Sequence, residues 1–516
     1  MRLTACLPTA IVGLLYAGKT AASGPKGVFA HYMVGTIFED HIRQDVDDAA
    51  AMGLDGFVIN MGNPLGPETR PLLSTMFDYA AATHPDFKCF ISMDLWSPKN
   101  LSDFDSILTD FLGHAAYYRG SDGYPVISTY GSGTFGQHDW SQWRDKWAHN
   151  IYFIPDFADL MALQGSDGWW DEWGFMIAGL FSWESTWPIR GQQSTPALVA
   201  VDEKPEWTQE RNKAYMIGLS MLQYKNSYGA NIYRAGEENL PLRIQNILNM
   251  PDQPEFTQIL TWNDGPESHY IGNIWPEQDN TTQMRVYANA DAPHTGIQPL
   301  LSSFATAFKA NAAAHAMAPV AGAAVTGALW FKPILAAGTA CADEDDGDLH
   351  HEKPAGYEVA ADVATWAVVV GEGDGGAGWT VHGFSAGEEL GSGTGLGAGL
   401  NFGNFTGVKV GRQCVEVRRA DGGLVAVAKG GREVSADCPD GIYNLNPQIL
   451  ELKEDVDDGG CVEDAKKSSD GDGDGDEGGN DDDDSWGVRA VAIDRFVVLA
   501  ALLTLLFSAT GTWVLC

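Results

Sequence analysis

The chain has 516 residues, of which 44% are hydrophobic, and it carries a formal net charge of -37 at pH 7. Its length and apolar content are sufficient for two or more domains with hydrophobic cores. The negative charge argues against binding to nucleic acid or to anionic lipid, whose phosphates attract basic surfaces. The 17 Trp residues suit stacking on sugar rings, although most buried Trp side chains simply belong to cores.

Both ends of the chain have the composition of processing signals. Residues 1–22 combine Arg2, an apolar stretch and small residues, which predicts a secretory signal peptide. Residues 486–516 contain an apolar run from Phe496 onward with no basic residue after it, and small residues precede this run at 478–485. This order predicts a GPI-attachment signal, with a retained tail-anchor helix as the alternative. We therefore expect a secreted monomer, held at the cell surface or cell wall through a lipid anchor only.

Cysteine use agrees with export. Cys6 and Cys516 lie in or beside the two processing signals, and Cys89 lies in an apolar run typical of a buried free thiol. The remaining four cysteines allow three pairings, and the pairing we expect is Cys414–Cys438 with Cys341–Cys461. It closes one moderate loop and ties the two ends of the C-terminal domain together. Candidate N-glycosylation sites are Asn100, Asn280 and Asn404.

Eight short apolar runs have the length and composition of strands. They are residues 28–34, 56–61, 87–93, 125–130, 151–157, 174–183, 214–221 and 258–262. Most segments between them have helical periodicity, most clearly 101–112, where Ser102 and Asp105 form a candidate capping pair. Eight strands alternating with helices predict a (β/α)8 barrel of the TIM type. A doubly wound open sheet is the alternative, which the lack of a dinucleotide fingerprint in these units disfavours.

The sequence changes character toward its C-terminal third. Residues 298–312 predict a further helix and residues 325–333 a strand that leads away, so the barrel domain is assigned to 27–335. Short strands and glycine-rich turns at 340–450 predict an antiparallel β-sandwich. Its strand candidates are 365–370, 379–384, 408–410 and 415–417. Residues 451–485 are rich in Asp and Gly, which predicts a disordered acidic stalk.

Catalytic groups of a parallel barrel lie where its strands end. Carboxylates and aromatic residues occupy these positions: His31, Tyr32, Asn60, Asp94, Trp96, Tyr130, Asp156, Trp183, Glu184, Asp264 and Glu267. Glycosidic cleavage needs one protonated carboxyl group and one carboxylate, which such a ring can supply. It contains no cluster of His and Cys, so we expect neither a metal nor a cofactor. The alternative for each carboxylate is that it only caps the helix that follows.

The segment Trp262-Asn-Asp-Gly-Pro-Glu-Ser-His-Tyr-Ile-Gly272 resembles the signature of glycoside hydrolase family 71, the fungal endo-α-1,3-glucanases or mutanases. The similarity extends over about 27–450, through residues 29–35, 127–130, 152–157, 181–183, 231–237 and 436–444. This resemblance implies an inverting glycoside hydrolase that acts on α-glucan of fungal cell walls.

Carried over by motif, the resemblance makes Asp264 and Glu267 the acid and base, in an order left open, and Asp94 a third required acidic residue. Inversion implies roughly 6.5–9.5 Å between the acid and the base, which leaves room for a water molecule. The expected substrate-binding residues are His31, Tyr32, Asn60, Trp96, Tyr130, Asp156, Trp183, Arg234, Trp262, Asn263, His269 and Tyr270.

The chain departs from the family pattern at two places expected to line the cleft, residues 131–133 and 220–222. The linkage that is cleaved therefore stays open. Two alternatives are a glycosidase of other linkage specificity and a carbohydrate-binding wall protein on the same fold with little or no turnover. A third is a structural GPI-anchored protein whose sandwich mediates contacts.

Overall fold

The computed structural model describes residues 26–96, 100–147, 151–157, 166–196, 206–278, 292–341, 346–372, 378–393, 395–438, 441–454 and 459–462. The expected signal peptide, the sequon at Asn280, most of the acidic stalk and the GPI signal lie outside these residues. In the part of the chain that is described, no helix combines the length and apolarity needed to cross a bilayer.

The first ten strands build the N-terminal domain. They are β1 (Gly27–Met33), β2 (Gly56–Met61), β3 (Phe90–Asp94), β4 (Val126–Tyr130), β5 (Tyr152–Ile154), β6 (Gly179–Phe181), β7 (Ala214–Leu219), β8 (Gln223–Ser227), β9 (Ala230–Arg234) and β10 (Phe256–Ile259). Eight of them form one parallel sheet in the order β5-β4-β3-β2-β1-β10-β7-β6, and β8 pairs only with β9 in an antiparallel hairpin.

The parallel sheet curls into a nearly closed ring. Its two outermost strands meet at a bridge between Asp156 and Phe181, and the Ala178 N–H donates to the carbonyl of Phe153 at 2.7 Å. An open doubly wound sheet would leave these two strands far apart. The predicted (β/α)8 barrel is therefore confirmed, and it has no free sheet edge at this point.

The described helices are α1 (Glu39–Ala51), α2 (Thr69–Thr83), α3 (Asp105–Phe111), α4 (Gln137–Lys146), α5 (Asp167–Trp173), α6 (Glu206–Gln209), α7 (Asn239–Asn249) and α8 (Gln298–Lys309). In α1, for example, Ile42, Val46 and Ala49 recur at helical spacing and are buried against the barrel core, while Glu39 and Asp40 suit the positive N-terminal end of the helix.

Two local predictions are wrong. The capping pair Ser102–Asp105 does not form, because the helical segment begins earlier with a 3₁₀ turn, Leu101–Phe104, where the Asn100 N–H donates to Asp103 at 3.0 Å. The strand expected at 174–183 is only Gly179–Phe181, since residues Gly174–Met176 continue the Trp-rich α5 as a 3₁₀ turn. A buried apolar run of this length does not by itself distinguish strand from helix.

The last eight strands build the C-terminal domain. They are β11 (Val325–Phe331), β12 (Val363–Val370), β13 (Thr380–Ser385), β14 (Glu388–Gly393), β15 (Gly399–Thr406), β16 (Gln413–Arg418), β17 (Leu424–Lys429) and β18 (Gln448–Glu451). Two four-stranded antiparallel sheets, β15-β12-β11-β18 and β14-β13-β16-β17, enclose a core of their own that includes Leu329, Val381 and Val417. The predicted antiparallel sandwich is confirmed.

Two details differ from the expected sandwich. The strand predicted at 408–410 is absent from these described residues, and the strand that precedes them is β15. Strand β11 lies within 27–335, the segment assigned to the barrel, yet it pairs with β12 and β18. The first sheet also packs on the barrel, since Trp330, Ala367 and Ile449 belong to the barrel's hydrophobic core.

The expected disulfide pairing is wrong. Cys341 is bonded to Cys438, and Cys414 is bonded to Cys461, with Cα–Cα distances of 5.2 and 5.8 Å. After β17 the chain crosses to the first sheet, where Ser435 bridges Ile334, and this brings residue 438 to residue 341. The chain after β18 returns to β17 through Lys453, which brings residue 461 to β16. Cys89 is a free, buried thiol, as predicted.

Candidate active site

The carboxyl ends of the barrel strands surround a cavity of about 550 Å³. Carboxylates and aromatic rings dominate its wall. The lining residues are His31, Met33, Val34, Gly35, Thr36, Asn60, Asp94, Trp96, Tyr130, Trp183, Lys225, Tyr228, Asn263, Asp264, Pro266, Glu267, Glu277 and Gln278. The three acidic residues that the family resemblance makes catalytic, Asp94, Asp264 and Glu267, therefore line one cavity.

A short turn after β10 presents two of these carboxylates. The Asp264 N–H donates to the Thr261 hydroxyl at 2.9 Å, and Gly265–Glu267 forms a single 3₁₀ turn. Ser268 then adopts a left-handed conformation with φ of 59°, which reverses the chain so that the Thr261 N–H donates to the His269 carbonyl. The turn is thus closed on both sides, and it holds Asp264 and Glu267 on the cavity wall.

Three side chains contact the Glu267 carboxylate. The ammonium of Lys225 lies 2.8 Å from Oε1, the Gln223 amide nitrogen lies 2.6 Å from Oε2, and His269 Nε2 lies 3.2 Å from Oε2. Burial alone would raise the pKa of Glu267, but His269 and Lys225 outweigh that effect and hold this pKa well below its usual range. Glu267 is therefore an anion in the resting site.

Asp264 has the opposite character. It is buried, and burial together with the negative charge of Glu267 raises the pKa of Asp264 to about 6. Two adjacent carboxyl groups do not both ionise readily, so the better solvated or better paired one carries the charge. The site thus pairs a protonated Asp264 with an ionised Glu267 at mildly acidic pH.

The separation of these two groups differs from the expected one. An oxygen of Asp264 and an oxygen of Glu267 lie within 4.8 Å of each other, closer than the roughly 6.5–9.5 Å typical of an inverting acid and base. This short separation leaves little room for a water molecule between the two side chains. For an inverting reaction, it favours a base elsewhere on the cavity wall.

Asp94 lies elsewhere on the wall. It ends β3, which is three strands from β10 around the ring, and neighbouring strands are about 4.8 Å apart. Its Oδ1 accepts from the Trp96 N–H at 2.9 Å. The Trp96 ring is 82% exposed at this side of the cavity, where its face is open to a ligand. Asp94 and Asp264 thus face the cavity from different sides.

An aromatic wall separates the acidic residues. The rings of Tyr130 and Trp183 lie 4.8 Å apart, and Trp183 lies 4.9 Å from His31. Burial, and next the negative charge of Glu267, raise the pKa of Tyr130 above its usual value. Burial also lowers the pKa of His31 to about 3, so its imidazole is neutral. His31 Nδ1 lies 2.6 Å from the Gln258 amide nitrogen, and its Nε2 has no hydrogen-bond partner among the described residues.

Half of the expected substrate-binding residues line this cavity: His31, Asn60, Trp96, Tyr130, Trp183 and Asn263. The other half do not: Tyr32, Asp156, Arg234, Trp262, His269 and Tyr270. Side chains alternate along a strand, so the residue next to an inward-facing one points to the helices. Tyr32, which follows His31, accordingly donates to Asp45 of α1 at 2.9 Å.

The other residues outside the cavity have structural partners. Arg234 pairs with Glu184, Tyr270 donates to the Ala292 carbonyl at 2.5 Å, and His269 lies behind Glu267. Asp156 takes part in the bridge that closes the barrel, and Trp262 is fully buried. The departures at 131–133 and 220–222 do not line the cavity either, contrary to expectation. They leave its described wall unchanged.

Four lining residues with polar side chains, Lys225, Tyr228, Glu277 and Gln278, were not foreseen from the sequence. Lys225 and Tyr228 come from the hairpin of β8 and β9, and Glu277 and Gln278 follow the active-site turn. The hairpin has one sequence signal, the pair Tyr228-Gly229 at its tip. Both residues have positive φ, 52° and 75°, as a tight two-residue hairpin turn requires. Two strand-like segments that are separated by such a two-residue turn are the sequence pattern of a β-hairpin.

The group Asp264, Glu267 and His269 could offer three ligand atoms to a cation, all within 4.8 Å of one another. Both oxygens of Glu267, however, already accept from Lys225, Gln223 and His269. A metal ion would have to compete with these donors, one of which is an ammonium group. We therefore assign the positive charge at Glu267 to Lys225.

Comparison with known sequences identifies the family. The sequence model of glycosyl hydrolase family 71 matches residues 24–460, which include the strands of the barrel and of the sandwich and every residue that lines the cavity. The chain belongs to glycosyl hydrolase family 71. Its membership makes it a glycoside hydrolase, and the cavity described here is the candidate active site of a family 71 enzyme.

Two relatives of this family 71 chain are named for their activities. A mutanase of Penicillium rubens is 27% identical over 470 residues, which cover 87% of this chain and 94% of the relative. The glucan endo-1,3-alpha-glucosidase agn1 of Schizosaccharomyces pombe is 29% identical over 310 residues, 55% of this chain and 66% of the relative. Among solved structures, the GH99 endo-alpha-mannosidase of Bacteroides thetaiotaomicron has a TM-score of 0.42 at 10% identity, over 55% of this chain and 98% of that chain.

Proposed function

We propose that this family 71 enzyme hydrolyses α-1,3-glucosidic bonds of cell-wall glucan by a single displacement. The names of the two relatives, a mutanase and an endo-1,3-alpha-glucosidase, support the substrate class. One observation carries the proposal: Asp264 is buried, its pKa is raised, and it lies beside the ionised Glu267 on a cavity lined by aromatic residues. A carboxyl group that keeps its proton is what the leaving oxygen of a glycoside requires.

Asp264 is the general acid in this proposal. It transfers its proton to the glycosidic oxygen as the bond to the anomeric carbon breaks, and the leaving sugar departs as a neutral alcohol. Glu267 stays ionised beside it and stabilises the positive charge that develops on the sugar ring. Its negative charge also keeps the proton on Asp264 before the reaction.

Asp94 is the general base. It faces the cavity from a different side, so it can hold a water molecule opposite the leaving oxygen. The water oxygen attacks the anomeric carbon as the base takes one of its protons, and the products are the alcohol and the inverted hemiacetal. Tyr130 and Trp183 lie on the wall between the acids, where their faces suit sugar rings.

Product analysis tests the reaction and its stereochemistry. Insoluble α-1,3-glucan treated with the enzyme should release oligosaccharides whose new reducing ends are β first, because one displacement inverts an α centre. Proton NMR during the first minutes distinguishes the two anomers, and α-1,4- and β-1,3-glucans serve as matched substrates. If α anomers come first, the single displacement is wrong, and if the glucan binds without release, the protein is a binding module on the same fold.

An extracellular place of action belongs to the same proposal. Two disulfides support it, because such bonds persist in oxidising compartments. We further propose that the enzyme is held by the lipid anchor expected from 478–516, which would bring it close to an insoluble wall polymer. Phosphatidylinositol-specific phospholipase C should then release glucanase activity from intact cells. Activity that only detergent extracts would point to a retained membrane helix.

A further inference from the structure

The hairpin of β8 and β9 leaves the barrel after β7 and reaches over the active site. Side chains two residues apart on a strand share one face, and in β8 this face carries Gln223 and Lys225 to the Glu267 carboxylate. Tyr228 at the tip lines the cavity and lies close enough to Asp264 to feel its charge. The hairpin therefore contacts the catalytic residues, although it belongs to no barrel strand or helix.

Lys225 has a distinct place among the lining residues. Of the described residues around the cavity, it is the only Lys or Arg. Its side chain is 22% exposed, that of Glu267 is 12% exposed, and the two charged atoms are 2.8 Å apart. Such a pair is poorly screened by water, and without Lys225 the Glu267 carboxylate keeps only Gln223 and His269 as side-chain partners.

We propose that Lys225 is a positioning residue that holds Glu267 as an anion beside Asp264 and so fixes which of the two carries the proton. The inference rests on the proposed function, because it concerns the acid of that reaction. It assigns the hairpin a catalytic role that the barrel strands do not provide.

The other charged and titratable groups near Glu267 do not replace Lys225. Asp264 repels it, and Tyr130 and His31 are uncharged at working pH because burial raises the pKa of Tyr130 and lowers that of His31. His269 also contacts Glu267 at 3.2 Å and lowers the pKa of this carboxyl group, but its side chain is fully buried and does not line the cavity, so Lys225 is the basic partner on the cavity wall. Burial lowers the pKa of Lys225, but the charge of Glu267 outweighs this effect and raises it, so the ammonium stays charged throughout the acidic to neutral range.

The proposal is tested with Lys225→Met, which keeps the length of the side chain and removes its charge. Lys225→Arg restores a cation, and Gln223→Met removes a neutral donor to the same carboxylate. Lys409→Met is the matched control, since Lys409 pairs with Glu388 in the sandwich, where it lines no part of the cavity. The pH dependence of kcat on α-1,3-glucan is measured for all five proteins, wild type included.

We expect Lys225→Met to raise the pKa of Glu267 by about 1–3 units, because an opposite charge at this distance shifts a carboxyl pKa by that amount. Since the wild-type pKa of Glu267 lies well below its usual range, the ratio of variant to wild-type kcat should stay near one at mildly acidic pH and should fall, by up to about tenfold to a hundredfold, as the pH drops below about 4. Lys225→Arg should keep the acidic limb of the wild-type profile, and Lys409→Met should leave the whole profile unchanged. A uniform loss of kcat with unmoved limbs would show a merely structural lysine and overturn the proposal.

Thermal unfolding gives a second readout that needs no substrate. The depressed pKa of Glu267 adds stability that is present above the ordinary glutamate pKa of about 4.3 and is lost as the pH falls below it. The difference in Tm between wild type and Lys225→Met should thus be largest above about pH 5 and shrink below pH 4. A Tm difference independent of pH refutes the charge pairing, even if wild type fails to hydrolyse α-1,3-glucan. Inactivity of wild type with the expected Tm pattern refutes only the proposed function.

Discussion

Replacing Asp264 by Asn should lower kcat on α-1,3-glucan by about 10² to 10⁴, the range that one general acid contributes. The amide keeps the shape of the side chain but has no acidic proton to give to the leaving oxygen. In wild type, kcat should fall as the pH rises through about 6, the pKa of Asp264, because this carboxyl group then loses the proton that the reaction needs. The variant should lack this alkaline limb, which initial rates from pH 4 to 8 will show.

Stability separates this effect from misfolding. When the pKa of a carboxyl group is raised on folding, the native state becomes less stable as the pH rises above the pKa of that group in the unfolded chain. The ionised Asp264 therefore destabilises the native state at pH 7. The Asn variant should therefore unfold at the same temperature as wild type or higher. Glu184→Gln is the matched control, because Glu184 also follows a barrel strand but lies outside the cavity. Near-normal kcat in Asp264→Asn would remove this residue from the mechanism.

Strand ends were the most informative feature of the sequence. The strands of a parallel barrel all end at the same face, independently of the loops that follow them. The positions of Asp94, Asp264 and Glu267 on this face could therefore be predicted from the sequence. The strand-end rule does not say which neighbour points inward, because side chains alternate. His31 therefore lines the cavity, while Tyr32 points to α1.

Long-range pairing could not be obtained from the sequence. Loop length favoured Cys414–Cys438, but the strand order of the sandwich brings Cys438 to Cys341. The ion pair of Lys225 and Glu267 could not be predicted either, since its partners are 42 positions apart and no local pattern links them. Local patterns predict elements and their ends, whereas cross-links depend on how those elements pack.

The different partners of Asp264 and Glu267 explain why two carboxyl groups of one turn differ so strongly. His269 and the hairpin residues Gln223 and Lys225 all contact the Glu267 carboxylate. A residue more than 40 positions away in sequence thus breaks the symmetry of a pair only three residues apart. Spacing in the motif alone therefore does not indicate which of the two carboxyl groups holds the proton, whereas the packing of the hairpin beside Glu267 distinguishes them.

Azide should restore activity to Asp94→Ala but not to Glu267→Ala. Removal of either side chain should lower kcat by about 10² to 10⁴. Only loss of the base leaves a space where a small anion can attack the anomeric carbon opposite the leaving oxygen. The expected new product of Asp94→Ala is a β-glucosyl azide, identified by mass spectrometry and proton NMR, because an α bond is inverted once.

Each alternative has its own outcome in this experiment. Rescue of Glu267→Ala with formation of a β-glucosyl azide would make Glu267 the base, although one of its oxygens lies within 4.8 Å of an Asp264 oxygen. An α-azide from either variant would indicate two displacements and a covalent intermediate. Glu184→Ala tests whether azide acts on the protein in general, since Glu184 lies outside the cavity and pairs with Arg234. A base across the cavity is expected because a water molecule needs the room that the close pair lacks.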